Sequence, residues 1–302
     1  MLAFRSDLAR AIRAYFHQEG VLEVVTPVLR DSGSSEAHLQ NLMTNTSPPL
    51  YLQTSPEYAM KCLLGAHGAS IYQICPAFRG GETGSRHSVE FQMLEWYRLG
   101  YTLTELMDDL VSLIEFIVEE LNPPGLEFNT IDRVSYHRLF EDRFGLNPHQ
   151  ADLETLKSLA KDLDHLGEDA GLSDVLDALF STHIEPGLEK PTIVYEYPAC
   201  QAALAELNST LEGDTVADRF ELYIGGIELA NAYQELDDVA ELKKRFAENN
   251  RLRRELAKPE VPDDAALIAA TGQIGQYAGI ALGIDRLAMV LWGADTLNEA
   301  RP

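Results

Sequence analysis

Apolar residues at Leu8, Ala11, Ile12, Tyr15 and Phe16 recur at helical spacing and predict an amphipathic first helix, with Ser6 as a candidate cap and Gly20 as its stop. VLEVVTPVL then reads as a strand broken by Pro27, which has no backbone donor to give a ladder. A loop-rich segment, DSGSSEAHLQNLMTNTSPP, leads to LYLQTSPEYAMKCLLG, a strand followed by a helix. SIYQICPAFR and VEFQMLEWYRLG read as two strands joined by the glycine-rich turn GGETGSRHS. A helix from about Leu103 to Leu121 comes next, with Thr102 and Glu105 at the spacing of a capping box. NPPG at 122–125 marks a break, and residues 126–190 read as a polar, helical insertion in a single domain spanning 1–302. Strand character returns at TIVYEYPA, a charged helix covers DVAELKKRFAENNRLRRELA, and AGIALGIDRLAMVLWG reads as a strand feeding a helix. Strands of antiparallel type with segregated helices give an α+β class built on one large sheet.

Composition narrows the setting. Of the 302 residues 45% are hydrophobic, an ordinary globular share, and no run reaches the roughly 18 apolar residues that cross a bilayer. The first residues carry scattered charges and no apolar core of a signal peptide. Cys62, Cys75 and Cys200 are odd in number, far apart and form no CxxC, which points to reduced thiols in a cytoplasmic protein. Twenty-four basic residues against 48 acidic ones leave a formal charge of -24. Such a surface is soluble and repels phosphate backbones unless a local basic patch overrides it, which argues against tRNA as a partner.

The chemistry concentrates in three segments. In FELYIGGIELANAYQELDD, Gly225-Gly226 fits a two-residue hairpin turn that sets Ile224 opposite Ile227, Tyr223 opposite Glu228, and Glu221 opposite Ala230. Glu221 and Glu228 then lie diagonally on one face, where two carboxylates repel unless a cation such as Mg²⁺ sits between them. Asn231, Tyr233 and Glu235 fall on the other face of a regular strand, and a bulge among Ala230 to Ala232 would merge the two sets. CPAFRGGETGSRHSVEF places Arg79, Arg86 and His87 around a turn that is no P-loop, yet its guanidinium groups suit phosphate oxygens and Phe91 suits a base. In GIDRLAM, Arg286 occupies the first turn of a helix, where the dipole disfavours a cation; an anion explains its presence.

In this order the segments resemble the signature motifs of the class II aminoacyl-tRNA synthetases. GVLEVVTPVL is similar to motif one, FRGGETGSRHSVEF to motif two and GIALGIDRL to motif three, and the likeness covers nearly the whole chain. TSPEY, FQMLEWY and GIELANAYQEL are most similar to lysyl-tRNA synthetase. Two departures, no OB-fold anticodon-binding domain ahead of the core and Ala281 where the synthetases carry glycine, resemble the elongation factor P β-lysine ligase family.

That resemblance implies a class II synthetase catalytic core, an antiparallel sheet flanked by helices, in a homodimeric ATP-dependent ligase. It implies ATP and Mg²⁺ as cofactors, (R)-β-lysine as substrate and a lysine of translation elongation factor P as acceptor. It gives the α-phosphate to Arg79 and the distal phosphates to Arg286 with Arg86 or His87, Arg79 and Arg286 being the catalytic pair. Phe91 would stack adenine, and Gly80, Gly81, Ser88, Leu229 and Gly283 would line the nucleotide pocket. Glu221 and Glu228 would take Mg²⁺. Ser55, Pro56, Glu57, Glu95, Tyr97, Asn231, Tyr233 and Glu235 would surround the diamino acid, with Ala281 shaping the pocket for the β-amino isomer. Motif two departs from Arg-x-Glu: Gly81 stands where the acid is expected, so either Glu82 substitutes or the adenine contact is made by backbone. Two further readings stand beside this one, a lysyl-adenylate-forming enzyme with a tRNA or small-molecule acceptor and a non-catalytic regulatory paralogue.

Overall fold

A computed structural model describes the chain apart from residues 126–129, 164, 165, 168 and 302. It divides into two units, Met1–Glu127 with Glu235–Pro302, and Phe128–Gln234. Of the expected 126–190 insertion, residues 126–129, 164, 165 and 168 lie outside the described residues.

The first unit begins with helix α1 (Leu2–Gln18). Ser6 lies inside it and is not its cap, because Phe4 continues the buried stripe of Leu8, Ala11, Ile12, Tyr15 and Phe16 toward the N-terminus. Strands β1 (Leu22–Glu23) and β2 (Leu29–Arg30) flank Pro27, and β3 (Tyr51–Leu52) pairs antiparallel with β2. Helix α2 (Glu57–His67) ends at Gly68 with φ +59°, a left-handed cap that glycine adopts without a Cβ penalty. Strands β4 (Ile71–Phe78) and β5 (Glu90–Leu99) pair antiparallel across the glycine-rich turn. Helix α3 (Leu103–Leu121) starts on the expected capping box of Thr102 and Glu105.

The second unit holds β6 (Asp132–Ser135), α4 (Tyr136–Phe144), α5 (Leu153–Leu159), α6 (Leu172–His183), β7 (Thr192–Pro198), β8 (Leu207–Ser209), β9 (Thr215–Tyr223) and β10 (Glu228–Gln234). β6 runs parallel to β7, while β9 pairs antiparallel with β7, β8 and β10. Its core is aromatic, with Tyr136 stacked on Phe140 at 4.8 Å and on Phe180 at 5.1 Å. The first unit then resumes with α7 (Val239–Glu255), α8 (Ala265–Ala270), β11 (Tyr277–Gly283), α9 (Ile284–Trp292) and α10 (Leu297–Ala300). β11 pairs antiparallel with β5, and β1 lies parallel to β4, so the sheet of this unit runs β1-β4-β5-β11.

The class is α+β, as the pattern indicates, with the parallel pairs β1/β4 and β6/β7 added to the expected antiparallel ones. Strand β5 fixes where chemistry can occur, since its side chains alternate between two faces. Trp96 and Arg98 both bond Asp109 of α3, at 2.9 Å and 2.8 Å, and the Tyr15 hydroxyl of α1 reaches the same carboxylate at 2.7 Å. That face is sealed by helices. Glu95 and Tyr97 point to the opposite face, away from that network.

Candidate active site

Glu95 is 2% exposed, and its Oε1 accepts a 2.7 Å hydrogen bond from the Tyr97 hydroxyl. Its Oε2 is buried and has no hydrogen-bond partner among the described residues. Burial, reinforced by the Glu57 charge, pushes the Glu95 carboxyl up to about 8. Glu57 opens α2, where the dipole favours an acid, and its amide donates to the Ser55 hydroxyl at 3.2 Å while Pro56 occupies the N-cap. Glu235 is 2% exposed and is anchored by its amide to the Tyr277 carbonyl at 3.1 Å.

A residue that the sequence reading passed over links these acids. Lys61 is 3% exposed, and its ammonium lies 2.7 Å from Glu57 Oε1 and 2.6 Å from Glu235 Oε2. Burial alone would pull the ammonium down, but Glu235 and Glu57 hold it well above the ordinary lysine range. Its signal in the sequence was the Glu57–Lys61 spacing of one helical turn, which taken alone reads as a surface pair. Gly279 was missed too. It pairs with Tyr97 across β5 and β11, and a Cβ there would overlap the Glu235 carboxylate and the Tyr97 ring. Ala281 pairs with Glu95, so glycine and alanine form the floor beneath the acids.

The turn between β4 and β5 gathers cations. Arg79 donates to the Thr54 carbonyl at 3.4 Å, lies 3.8 Å from Glu82 and sits 5.2 Å over the Phe91 ring. Gly80 bonds the Gln40 carbonyl at 2.8 Å, and the exposed Gly81 takes φ +78°. Arg286, on the first turn of α9 after Gly283, donates to the Arg86 carbonyl at 3.2 Å and meets His87 Nε2 at 2.8 Å. Burial and then Arg286 push the His87 imidazole below its usual value, so it faces the guanidinium as a neutral ring. Ser88 accepts a 2.7 Å bond from Arg301, which also holds Asp285, the neighbour of Arg286, at 2.7 Å. Arg79, Gly80, Gly81, Arg86, His87, Ser88, Phe91, Gly283 and Arg286 therefore belong to one unit.

Glu221, Glu228, Leu229, Asn231 and Tyr233 belong to the other. The Gly225-Gly226 turn has φ +61° and +65°, and Ile224 and Ile227 exchange hydrogen bonds across it, as expected. Glu228 faces Tyr223, but a bulge falls at Leu229, one step earlier than considered from sequence, so Glu221 faces Asn231 and not Ala230. One extra residue carries Asn231 and Tyr233 onto the face that holds Glu221 and Glu228. The Glu221 carboxylate is already engaged: Arg219 pairs with it, Tyr223 donates to it, and the Tyr197 hydroxyl donates at 2.6 Å. Arg219 in turn lies 4.6 Å over the Tyr197 ring. No group of three or more His, Cys, Asp or Glu among the described residues is arranged to hold a metal by itself.

The raised Glu95 carboxyl makes a sign-definite prediction. Its native value, about 8, exceeds its ordinary value of about 4.3, so its contribution to stability is full below the ordinary value and lost as pH rises through about 8. Glu95→Gln should therefore gain on the wild type by on the order of 1 kcal/mol per pH unit between about pH 5 and 8, measured by urea unfolding. A pH-independent difference would refute a protonated Glu95.

Comparison with known proteins identifies the family. Residues 1–302 match the family described as tRNA synthetases class II (D, K and N). An elongation factor P–(R)-β-lysine ligase of Histophilus somni is 39% identical over 99% of this chain and 93% of its own length. The enzymes of the same name from Sodalis glossinidius and Pseudoalteromonas translucida are 40% and 39% identical, each over 98% of this chain and 92% of its own. The chain belongs to the class II tRNA synthetase family of the D, K and N type.

Proposed function

We propose that this chain is an ATP-dependent ligase that activates (R)-β-lysine and transfers it to a lysine side chain of translation elongation factor P. Kinship at about 39% identity along almost all of the chain, to enzymes bearing that name, carries the reading. The chemistry of the first unit supports it. A diamino acid brings two ammonium groups, and each needs a carboxylate if it is to leave water. Glu57, Glu95 and Glu235 offer three, and the buried, unpartnered Glu95 Oε2 suits an ammonium donor. In the first step a substrate carboxylate oxygen attacks the α-phosphorus of ATP, the bond to the β-phosphate oxygen breaks and pyrophosphate leaves. In the second the acceptor amine attacks the acyl carbon, loses a proton and displaces AMP. The attack in the first step requires no general base, so positioning and charge stabilisation are what the side chains supply there.

The cluster of Arg79, Arg286 and neutral His87 fits a polyphosphate, Arg79 on the α-phosphate and Arg286 on the distal ones. Glu82, 3.8 Å from Arg79, is the acid that stands in for the missing one at Gly81. Mg²⁺, when bound, would offset phosphate charge. Glu221 and Glu228 would hold it, Glu221 on giving up contacts to Arg219 and two tyrosine hydroxyls. The roles that the resemblance gives Leu229, Asn231 and Tyr233 stay with them as proposals. No helix among the described residues is long and apolar enough to cross a membrane, and a cytoplasmic site fits a modifier of a translation factor. Leu22, Val25, Leu29 and Met43 of the first unit are exposed, Val25 by 91%, and suit a second copy in a homodimer.

ATP–pyrophosphate exchange should run with (R)-β-lysine in preference to α-lysine, and purified elongation factor P should gain the mass of one β-lysyl group. Arg79→Ala or Arg286→Ala should lower exchange by about 10²–10³-fold. No exchange with either amino acid would sink the enzyme reading, and exchange confined to α-lysine would favour the lysyl-adenylate alternative. Sedimentation at micromolar concentration should give the mass of two chains, and Val25→Asp should shift it toward one; a fully active monomer contradicts the dimer.

A further inference from the structure

The lysine at the centre of the acidic pocket has no part in the chemistry above. Helix α2 presents Glu57 and Lys61 one turn apart, and Lys61 reaches across to Glu235, whose backbone is tied to β11. Tyr277 of β11 closes a further side, its ring centre 6.0 Å from the ammonium. A buried lysine is a poor means of fastening a helix to a sheet, since apolar side chains of the same size do that without desolvating charge. Its position is explained by the carboxylates. Three of them converge on one pocket, and without a cation among them they repel and relax apart.

We propose that Lys61 is a positioning residue for the diamino acid: its ammonium fixes Glu57 and Glu235 in the geometry that receives the ligand's two amines and sets the charge left for them to neutralise. The inference rests on the proposed function and deepens it. With Glu95 held as the neutral acid, the Lys61 ammonium between the Glu57 and Glu235 carboxylates leaves one negative charge uncompensated. The incoming diamino acid, with two ammonium groups and one carboxylate, carries one positive charge, which complements it. Each carboxylate accepts at several lone-pair positions, so one bond to Lys61 and one to a ligand amine are compatible. Lys61 touches no reacting atom, so its loss should act on amino-acid binding and leave nucleotide binding alone.

The test compares the full-length wild type with Lys61→Met and Lys61→Ala by ATP–pyrophosphate exchange with (R)-β-lysine. Lys61→Met keeps the unbranched side chain up to the position of the ammonium, one atom shorter, and removes its charge. It should raise KM for the amino acid by roughly 30-fold or more, the scale for breaking a buried charge pair. KM for ATP should stay near the wild-type value, because Lys61 makes no nucleotide contact in this reading. Lys61→Ala lacks the atoms of propylammonium, so added propylamine should recover much of the lost activity while 1-propanol, of similar shape, should not. This rescue serves also where the methionine variant folds poorly. An unchanged amino-acid KM in Lys61→Met, equal changes in both KM values, or equal rescue by the alcohol would each overturn the proposal. A wild type that exchanges with neither lysine isomer would instead overturn the function itself, before any variant is read.

Discussion

Three carboxyl groups and one ammonium between α2, β5 and β11, with Glu95, Glu235 and Lys61 buried and Glu57 half-buried, form the constraint around which the first unit is organised. Charge of this kind does not collapse into a core by itself. It is held by backbone: Glu57 at a helix start, Glu95 on a strand whose other face is locked to Asp109, and Glu235 tied to the Tyr277 carbonyl. Burial first, and then the Glu57 charge, raise the Glu95 carboxyl, and on the proposed function an arriving ammonium would offset the negative charge of these groups.

The small residues of β11 serve this arrangement. Gly279 leaves the Glu235 carboxylate and the Tyr97 ring the space that a methyl would occupy, and Ala281 lies opposite Glu95. The cationic turn is a separate device of opposite sign. Arg79 is held by the Thr54 carbonyl with Glu82 3.8 Å away, and Arg286 takes the Arg86 carbonyl and a neutral imidazole, contacts that orient the guanidinium groups. Arg301 and Arg5 both hold Asp285, so the start of α9 is braced from two directions next to Arg286. On the proposed function, an acidic zone and a cationic zone in one unit are what joining a diamino acid to a phosphate would demand.

Much of this was legible in the residues. The period of β5, the Gly-Gly hairpin and the capping box of α3 are local patterns, and local patterns survive folding. The start of α1 was misplaced because Ser6 is a good cap residue, while the burial of Phe4, which decides the matter, depends on tertiary packing. The bulge at Leu229 has no local signature: no glycine marks it, and only pairing with β9 reveals it. Engagement of Glu221 by Arg219, Tyr197 and Tyr223 was equally out of reach, since Tyr197 comes from another strand. Lys61 was hidden for a related reason. A glutamate and a lysine at helical spacing are ordinary on a surface, and only the arrival of Glu235 from 174 positions away turns the pair into a triad around a buried ammonium.

The central claim is that the pocket exists to receive two ammonium groups on one small molecule. Calorimetric titration of the wild type with (R)-β-lysine, lysine, norleucine and 6-aminohexanoate tests it most directly, because the last two each lack one amine. The account expects both monoamines to bind at least about 100-fold more weakly than the diamines, since each leaves a buried carboxylate without its partner. Norleucine binding as tightly as lysine would contradict it.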